Sequence, residues 1–396
     1  MSQPGYPMRV LFSGGGTGGG VYPALAVVNA LKALHPTAEV RWLGSAHGVE
    51  RDLVGRAEIP FDGVAGGPIV GVGLRAVPNA LRILVGTVQA LRVVRRFRPG
   101  ALLLTGGWAT VPAALACWLG GVPLMIYMPD VEPGGTIRLL SRIAACVAVT
   151  ASDSTRFFRD GLAVETGYPV RADLLHAAGF DALGHPIPQP PDTRVEARRR
   201  FELSPDLPTL LVFGGSRGAR SINRALAAHL PALLARAQIV HISGSLDWPE
   251  VRAGADALPA DLAARYHPFD YLHGSDMALA LAGADLVVSR AGASTLGEFP
   301  LFSLPAILVP YPHAWRYQKT NANYLTSRGA AMRLDDDNLT GELASTVGRL
   351  LDDEARREAM AGVARSLRRP DAAARIAGLL ADLAHSPRAE SRGERD

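Results

Sequence analysis

The chain has 396 residues, 48% of them apolar and 20% charged, with a formal net charge of +4. That length exceeds one hydrophobic core and suits two soluble domains of ordinary size. Cys117 and Cys146 are the only cysteines and both have apolar neighbours, which excludes a disulfide framework and points to a reducing compartment. No Cys/His cluster has metal-ligand spacing, so no metal is expected.

Residues 8–12 open a strand rather than a signal segment. MRVLFS runs into the glycine turn SGGGTGGGVYP at residues 13–23, followed by a helix over residues 23–34 and a second strand, AEVRWLG. Arg82, Arg92, Arg95, Arg96 and Arg98 are interleaved with Leu, Ile and Val, a pattern for a surface helix near anionic lipid or for a solvated helix face. Residues 101–128 contain no charged side chain, but Gly106, Gly107, Pro112, Gly120, Gly121 and Pro123 break them. They read as strand, glycine turn, short buried helix and strand, not as a membrane span. ALLLTGG, VPLMIYM and CVAVTAS are continuous apolar strands separated by helical stretches, which means a parallel sheet covered on both faces.

Residues 181–193 are proline-rich and polar, and read as a linker-side loop. The pattern then restarts with the strand TLLVFGG, the turn and helix SRGARSINRALAAHLPALL, and the strands AQIVHISG, ADLVVSRAG and PAILVPYP. Two doubly wound α/β domains are expected. The polar end, residues 386–396, is expected to be disordered.

Glycines 14–16 and 18–20 follow a strand and precede a helix, where bare main-chain N–H groups can approach an oxygen-rich ligand. Dinucleotide-binding dehydrogenases place glycines similarly, but also need an acidic residue ending the second strand. Here that strand ends in Leu43, Gly44 and Ser45, which counts against NAD. Gly214, Gly215, Ser216, Arg217 and Gly218 form the equivalent turn of the second domain and suit a pyrophosphate; a plain tight turn is the alternative. Past a later strand come Arg290, Gly292, Ala293, Ser294, Thr295 and Glu298. Small residues followed by one carboxylate fit a nucleotide sugar, with phosphate at the helix start and ribose hydroxyls on Glu298. His313, Gln318 and Asn321 lie where they could read sugar hydroxyls, or be ordinary surface polar residues.

Together GGGTGGGVYPALAV, GYPVR, GGSRGARSIN, SRAGASTLGE and PHAWRYQKTNA closely resemble the MurG family, glycosyltransferase family 28, over about residues 8–380. The resemblance implies a GT-B fold of two Rossmann-like domains facing a cleft. Residues 1–168 would be the acceptor and membrane-associating domain, with a helix at about 370–385 packing back on it, and residues 169–368 the UDP-sugar domain. It implies an inverting, metal-independent enzyme without a cofactor, at the cytoplasmic face of the cell membrane. Such an enzyme moves N-acetylglucosamine from UDP-N-acetylglucosamine to lipid I, giving lipid II for peptidoglycan and so for cell-wall growth, shape and division. The implied partners are that sugar nucleotide, a polyprenyl-diphosphate-linked acceptor and an anionic membrane surface, with no nucleic acid.

Carried onto matching positions, the resemblance assigns Arg171, Ser216, Leu272, Ala293, Ser294, Thr295, Leu296, Gly297, Glu298 and Gln318 to the donor. Glu298 would hold ribose, Gln318 the sugar and Leu272 the uracil; Thr17, Gly18, Gly19 and Asp130 fall to the acceptor side. Two positions depart from the family. Gly20 stands where the glycine turn normally ends in His, and Tyr127, Met128, Pro129 and Asp130 stand where the family has His-Glu-Gln-Asn. An inverting transfer needs a base for the acceptor hydroxyl, and Asp130 or Glu132 is the candidate, helix capping being the alternative role. A related glycolipid glycosyltransferase, a non-catalytic UDP-sugar-binding homologue and a sugar-nucleotide epimerase are the competing readings.

Overall fold

Runs of four or five apolar residues closed off by glycine or polar side chains make strands that can be covered on both faces. The computed structural model describes residues 7–15, 18–46, 48, 50–67, 76–188, 190–215, 218–313 and 317–386, and divides into two units. The first comprises residues 1–171, 182–184 and 371–396; the second comprises 172–181 and 185–370. The tail, residues 387–396, lies outside the described residues.

The first unit holds β1 (Arg9–Ser13), β2 (Glu39–Ser45), β3 (Phe61–Val64), β4 (Ala101–Leu104), β5 (Leu124–Met128), β6 (Cys146–Val149) and β7 (Ala163–Glu165). They form one parallel sheet in the order β3-β2-β1-β4-β5-β6-β7. The order reverses between β1 and β4, and Ser13 pairs with Leu104, so the glycine turn and Thr105 leave the sheet at one level. Crevices of this kind, at the carboxyl ends of strands where the winding reverses, are where open α/β sheets bind ligands. The uncharged residues 101–128 are β4, a buried helix Val111–Leu119 and β5. Among the described residues no helix is long and apolar enough to cross a membrane.

The helix Ala76–Phe97 has a buried edge (Ile83, Ala90, Val94) and an outer face that exposes Leu81 and Leu84 by 62% and 61%, with Val85 and Val88 half exposed. Arg92, Arg95 and Arg96 continue that face one turn further on. Four exposed aliphatics are not a solvated polar face. The last helix, Ala372–His385, packs on the first, Gly18–Leu34, and Arg375 donates to the Glu165 carbonyl, which ties the chain's end to the first unit.

The second unit repeats the plan with β8 (Thr209–Phe213), β9 (Gln238–Ile242), β10 (Tyr266–Phe269), β11 (Leu286–Ser289), β12 (Ala306–Leu308) and β13 (Ala331–Arg333). Its parallel order is β10-β9-β8-β11-β12-β13, and its reversal falls between β8 and β11, where Phe213 pairs with Ser289.

Candidate functional site

In the first unit the turn after β1 is held from several sides. Trp42 Nε1 donates to the Gly14 carbonyl at 3.3 Å. A Cβ on Gly107 would stand 3.0 Å from the Gly15 carbonyl, and Gly107 has φ +86°, so both its size and its backbone call for glycine. Glu50 is fully buried against Gly15, with Oε1 accepting from Ser45 N–H at 2.9 Å. Thus a carboxylate does stand near the end of β2, but it is sealed under the turn rather than offered to a ribose. Gly18 begins the helix and Gly19 is exposed, while Thr17 lies outside the described residues.

Gly20 has a structural partner. A Cβ there would fall 3.2 Å from Thr105 Oγ1, a buried hydroxyl with no hydrogen-bond partner among the described residues. Thr105 therefore takes part of the space that an imidazole at position 20 would need. At the end of β5, Tyr127 and Met128 are both fully buried, and the Tyr127 hydroxyl is bonded to Thr150 Oγ1 at 2.8 Å. Burial pushes the Tyr127 phenol well up, helped by Tyr168 and by the negative Asp130. Asp130, just past the strand, is half-buried. Glu132 is 8% exposed and accepts from Arg138 Nη2 at 3.0 Å, so its charge is already matched. Of the two base candidates, Asp130 is the more accessible. Arg171 belongs to the first unit, where its guanidinium lies 5.6 Å from the centre of the Tyr22 ring.

In the second unit several polar residues turn inward. Arg290, 9% exposed, bonds Asp336, the Ser221 hydroxyl and the Val309 carbonyl and lies over the Tyr311 ring. Its charge is matched by Asp336, so it braces the ends of β11 and β12 instead of waiting for phosphate. Thr295 donates its hydroxyl to the Gly292 carbonyl at 2.7 Å, and Leu296 is a core side chain. The amides of Thr295, Leu296, Gly297 and Glu298 are taken by carbonyls of the same turn, so a phosphate here must be met by amides that precede them. Asn321 is fully buried, not a surface residue, and its Nδ2 donates to the Ala291 carbonyl at 3.2 Å. Gln318 Oε1 accepts from Tyr311 N–H at 2.8 Å, which leaves its Nε2 as a donor. Ala293, Ser294, Gly297 and Glu298 remain partly exposed around this edge, and Leu272 is buried between exposed Tyr271 and His273. Ser216 lies outside the described residues.

A polar chain that the sequence does not reveal runs beneath the second glycine turn. Asn223 Nδ2 donates to the Ser243 carbonyl and to Asp247, so its Oδ1 accepts and His241 Nε2 carries the proton. His241 Nδ1 then accepts from the Tyr266 hydroxyl at 2.7 Å. Arg220, first residue of the helix Arg220–Leu234, closes the chain on Asp247. Burial lowers the His241 imidazole from 6.5 to about 4, opposed by the charge of Asp247. The unfolded chain takes up this proton below pH 6.5, whereas the folded one holds out to about pH 4. The contribution of this group to stability is therefore constant above pH 6.5 and falls as the pH drops towards 4, by about 3 kcal/mol. Urea unfolding across that range should show a smaller loss in His241→Gln than in the wild type, the remainder including partly buried His267, whose imidazole is also lowered by burial; equal losses would refute it.

Two family models match the chain: the glycosyltransferase family 28 N-terminal domain over residues 10–149 and its C-terminal domain over residues 209–376. A UDP-N-acetylglucosamine--N-acetylmuramyl-(pentapeptide) pyrophosphoryl-undecaprenol N-acetylglucosamine transferase of Roseiflexus sp. (strain RS-1) is 41% identical, covering 95% of each chain. The enzyme of the same name from Nitratidesulfovibrio vulgaris (strain DP4) is 39% identical, over 96% of this chain and 99% of its own. Among solved structures, Acinetobacter baumannii MurG matches with a TM-score of 0.74 and 27% identity, over 95% of this chain and all of its own. A Neisseria meningitidis UDP-GlcNAc 2-epimerase bound to UDP-GlcNAc matches with a TM-score of 0.66, but at 16% identity it shares the fold alone.

Proposed function

The chain belongs to glycosyltransferase family 28, built on the GT-B plan, and from that premise we propose that it moves N-acetylglucosamine from UDP-N-acetylglucosamine to a muramyl-pentapeptide pyrophosphoryl-undecaprenol acceptor. The observation that carries this reading is the 41% identity extending over 95% of both chains, which leaves neither domain unaccounted for. An acceptor hydroxyl oxygen attacks the anomeric carbon as the bond to UDP breaks. The bonding pair leaves on the β-phosphate and the hydroxyl proton passes to Asp130. Inversion at the anomeric carbon follows from this single displacement. Glu298 holds the ribose hydroxyls, Gln318 donates to the sugar, and the glycine turn after β1 meets the acceptor.

The exposed leucines and valines of the helix Ala76–Phe97, followed by Arg92, Arg95 and Arg96, are what a peripheral protein needs at an anionic bilayer surface: apolar insertion backed by positive charge. The test is transfer of labelled N-acetylglucosamine to lipid I in anionic vesicles, with other UDP-sugars and diacylglycerol run in parallel. Lipid II formed only from UDP-N-acetylglucosamine supports the reading. Product on diacylglycerol alone makes the chain a glycolipid synthase, and no product with intact UDP-sugar binding makes it a binding homologue.

A further inference from the structure

Glu50 is a fully buried carboxylate with no part in the chemistry above. Three glycines make room for it. A Cβ on Gly15 would fall 2.5 Å from Oε1, one on Gly44 would fall 3.1 Å from Cγ, and one on Gly48 would overlap the carboxylate outright. A carboxylate taken wholly out of water is tolerated only when its oxygens are hydrogen-bonded, and Oε1 is met by Ser45 N–H at the end of β2. The group therefore grips β2 on one side and abuts the main chain of the turn after β1 on the other. Opposite it, Gly107 closes on the Gly15 carbonyl and Trp42 holds that of Gly14. Gly15 thus has little freedom, and it sits two residues from Thr17, at the switch point of the sheet.

We infer that Glu50 is a positioning residue for the acceptor. Its buried carboxylate fixes Gly15 where the chain leaves β1, and with it the start of the turn that meets the acceptor. This rests on the reading that the turn of the first unit faces the acceptor while the second unit binds the sugar nucleotide. A carboxylate with a purely local packing role would, when replaced, change stability and leave the two substrate constants in proportion. A positioning role separates them.

Glu50→Gln keeps the shape of the side chain but removes its charge. In steady-state transfer with each substrate varied in turn, it should raise the acceptor KM by about tenfold or more and move the donor KM by less than about twofold, as expected for one lost charge-assisted hydrogen bond. Amide hydrogen exchange should quicken over residues 14–20 and stay unchanged in β4 and β5. Gly15→Ala should act in the same direction. Because Glu50→Ala removes the group that a Cβ on Gly15 would strike, the double variant Gly15→Ala/Glu50→Ala should be no worse than Glu50→Ala alone. If Glu50→Gln does not fold, Glu50→Asp, which keeps the charge, is read with the same pair of constants. An unchanged acceptor KM in folded protein, or both KM values rising together with exchange faster throughout, overturns the inference. Absence of transfer in the wild type would instead overturn the functional reading, and the exchange measurement would still decide the role of Glu50.

Discussion

Asp130→Asn should lower kcat by about 10²- to 10⁴-fold, the usual contribution of a positioned general base, while UDP binding stays within about twofold of the wild type. The reasoning begins from what the neighbouring positions cannot do. Position 20 is glycine and faces the Thr105 hydroxyl; position 128 is a methionine inside the sheet. Tyr127 is sealed on the sheet, bonded to Thr150, with its phenol pushed far above neutrality by burial, so it stays protonated and cannot accept. Glu132 is matched by Arg138, which also donates to the Pro133 carbonyl and so pins the loop. Asp130, just past the carboxyl end of β5, is half-buried and so the more accessible of the two carboxylates. The asparagine is isosteric and cannot take the proton. Glu132→Gln should weaken the loop's ion pair and cost less turnover than Asp130→Asn. Single-turnover measurements with saturating donor separate the chemical step from binding. Unchanged turnover in both amide variants would remove carboxylate base catalysis from this chain.

The strands that were legible in the sequence and the ones that were not differ in one physical respect. β1, β2, β4, β5, β6, β8, β9, β11 and β12 are interior strands, and most read as unbroken apolar runs because both faces are covered. The four that carry no such signal, β3, β7, β10 and β13, are the four edges of the two sheets. They are three or four residues long, only partly buried, and contain Asp62, Glu165, His267 and Arg333 among their few positions. An edge strand has one neighbour and an open side, so its composition is free to look like a loop.

The sites divide in a similar way. Motif order identifies the two glycine turns and the Glu298 region, because each motif is local in sequence. What local sequence does not carry is the direction of a polar side chain. Asn321 and Arg290 stand in motifs that suit sugar and phosphate, yet one is buried on the Ala291 carbonyl and the other is spent on Asp336. Glu50 escapes notice for the converse reason. It lies five residues beyond Ser45, and only the packing of Gly15, Gly44 and Gly48 shows that one carboxylate occupies the space between them. Likewise the exchange of His for Gly20 reads in sequence as a simple loss, whereas Thr105 sits just beneath it.

Removing the Glu298 carboxylate should weaken UDP binding by about 10- to 100-fold, since a carboxylate that accepts from ribose hydroxyls makes charge-assisted bonds worth about 1.5–3 kcal/mol each. Glu298 is suited to this because the first turn of the helix Thr295–Leu301 fixes its backbone, with its own N–H bonded to the Ser294 carbonyl, while the residue is partly exposed. Glu298→Gln should retain part of the affinity, because an amide oxygen still accepts but carries no charge; Glu298→Ala should retain least. Thr295→Val is the matching control. Its hydroxyl is engaged with the Gly292 carbonyl, so its loss should lower stability by about 1 kcal/mol and leave the UDP Kd nearly unchanged. Calorimetric titration with UDP and with 2′-deoxy-UDP makes the comparison sharper. If the carboxylate reads the ribose, the deoxy ligand should bind the wild type more weakly and bind Glu298→Ala no differently from UDP. Equal discrimination in both proteins would place the ribose elsewhere on the sheet edge.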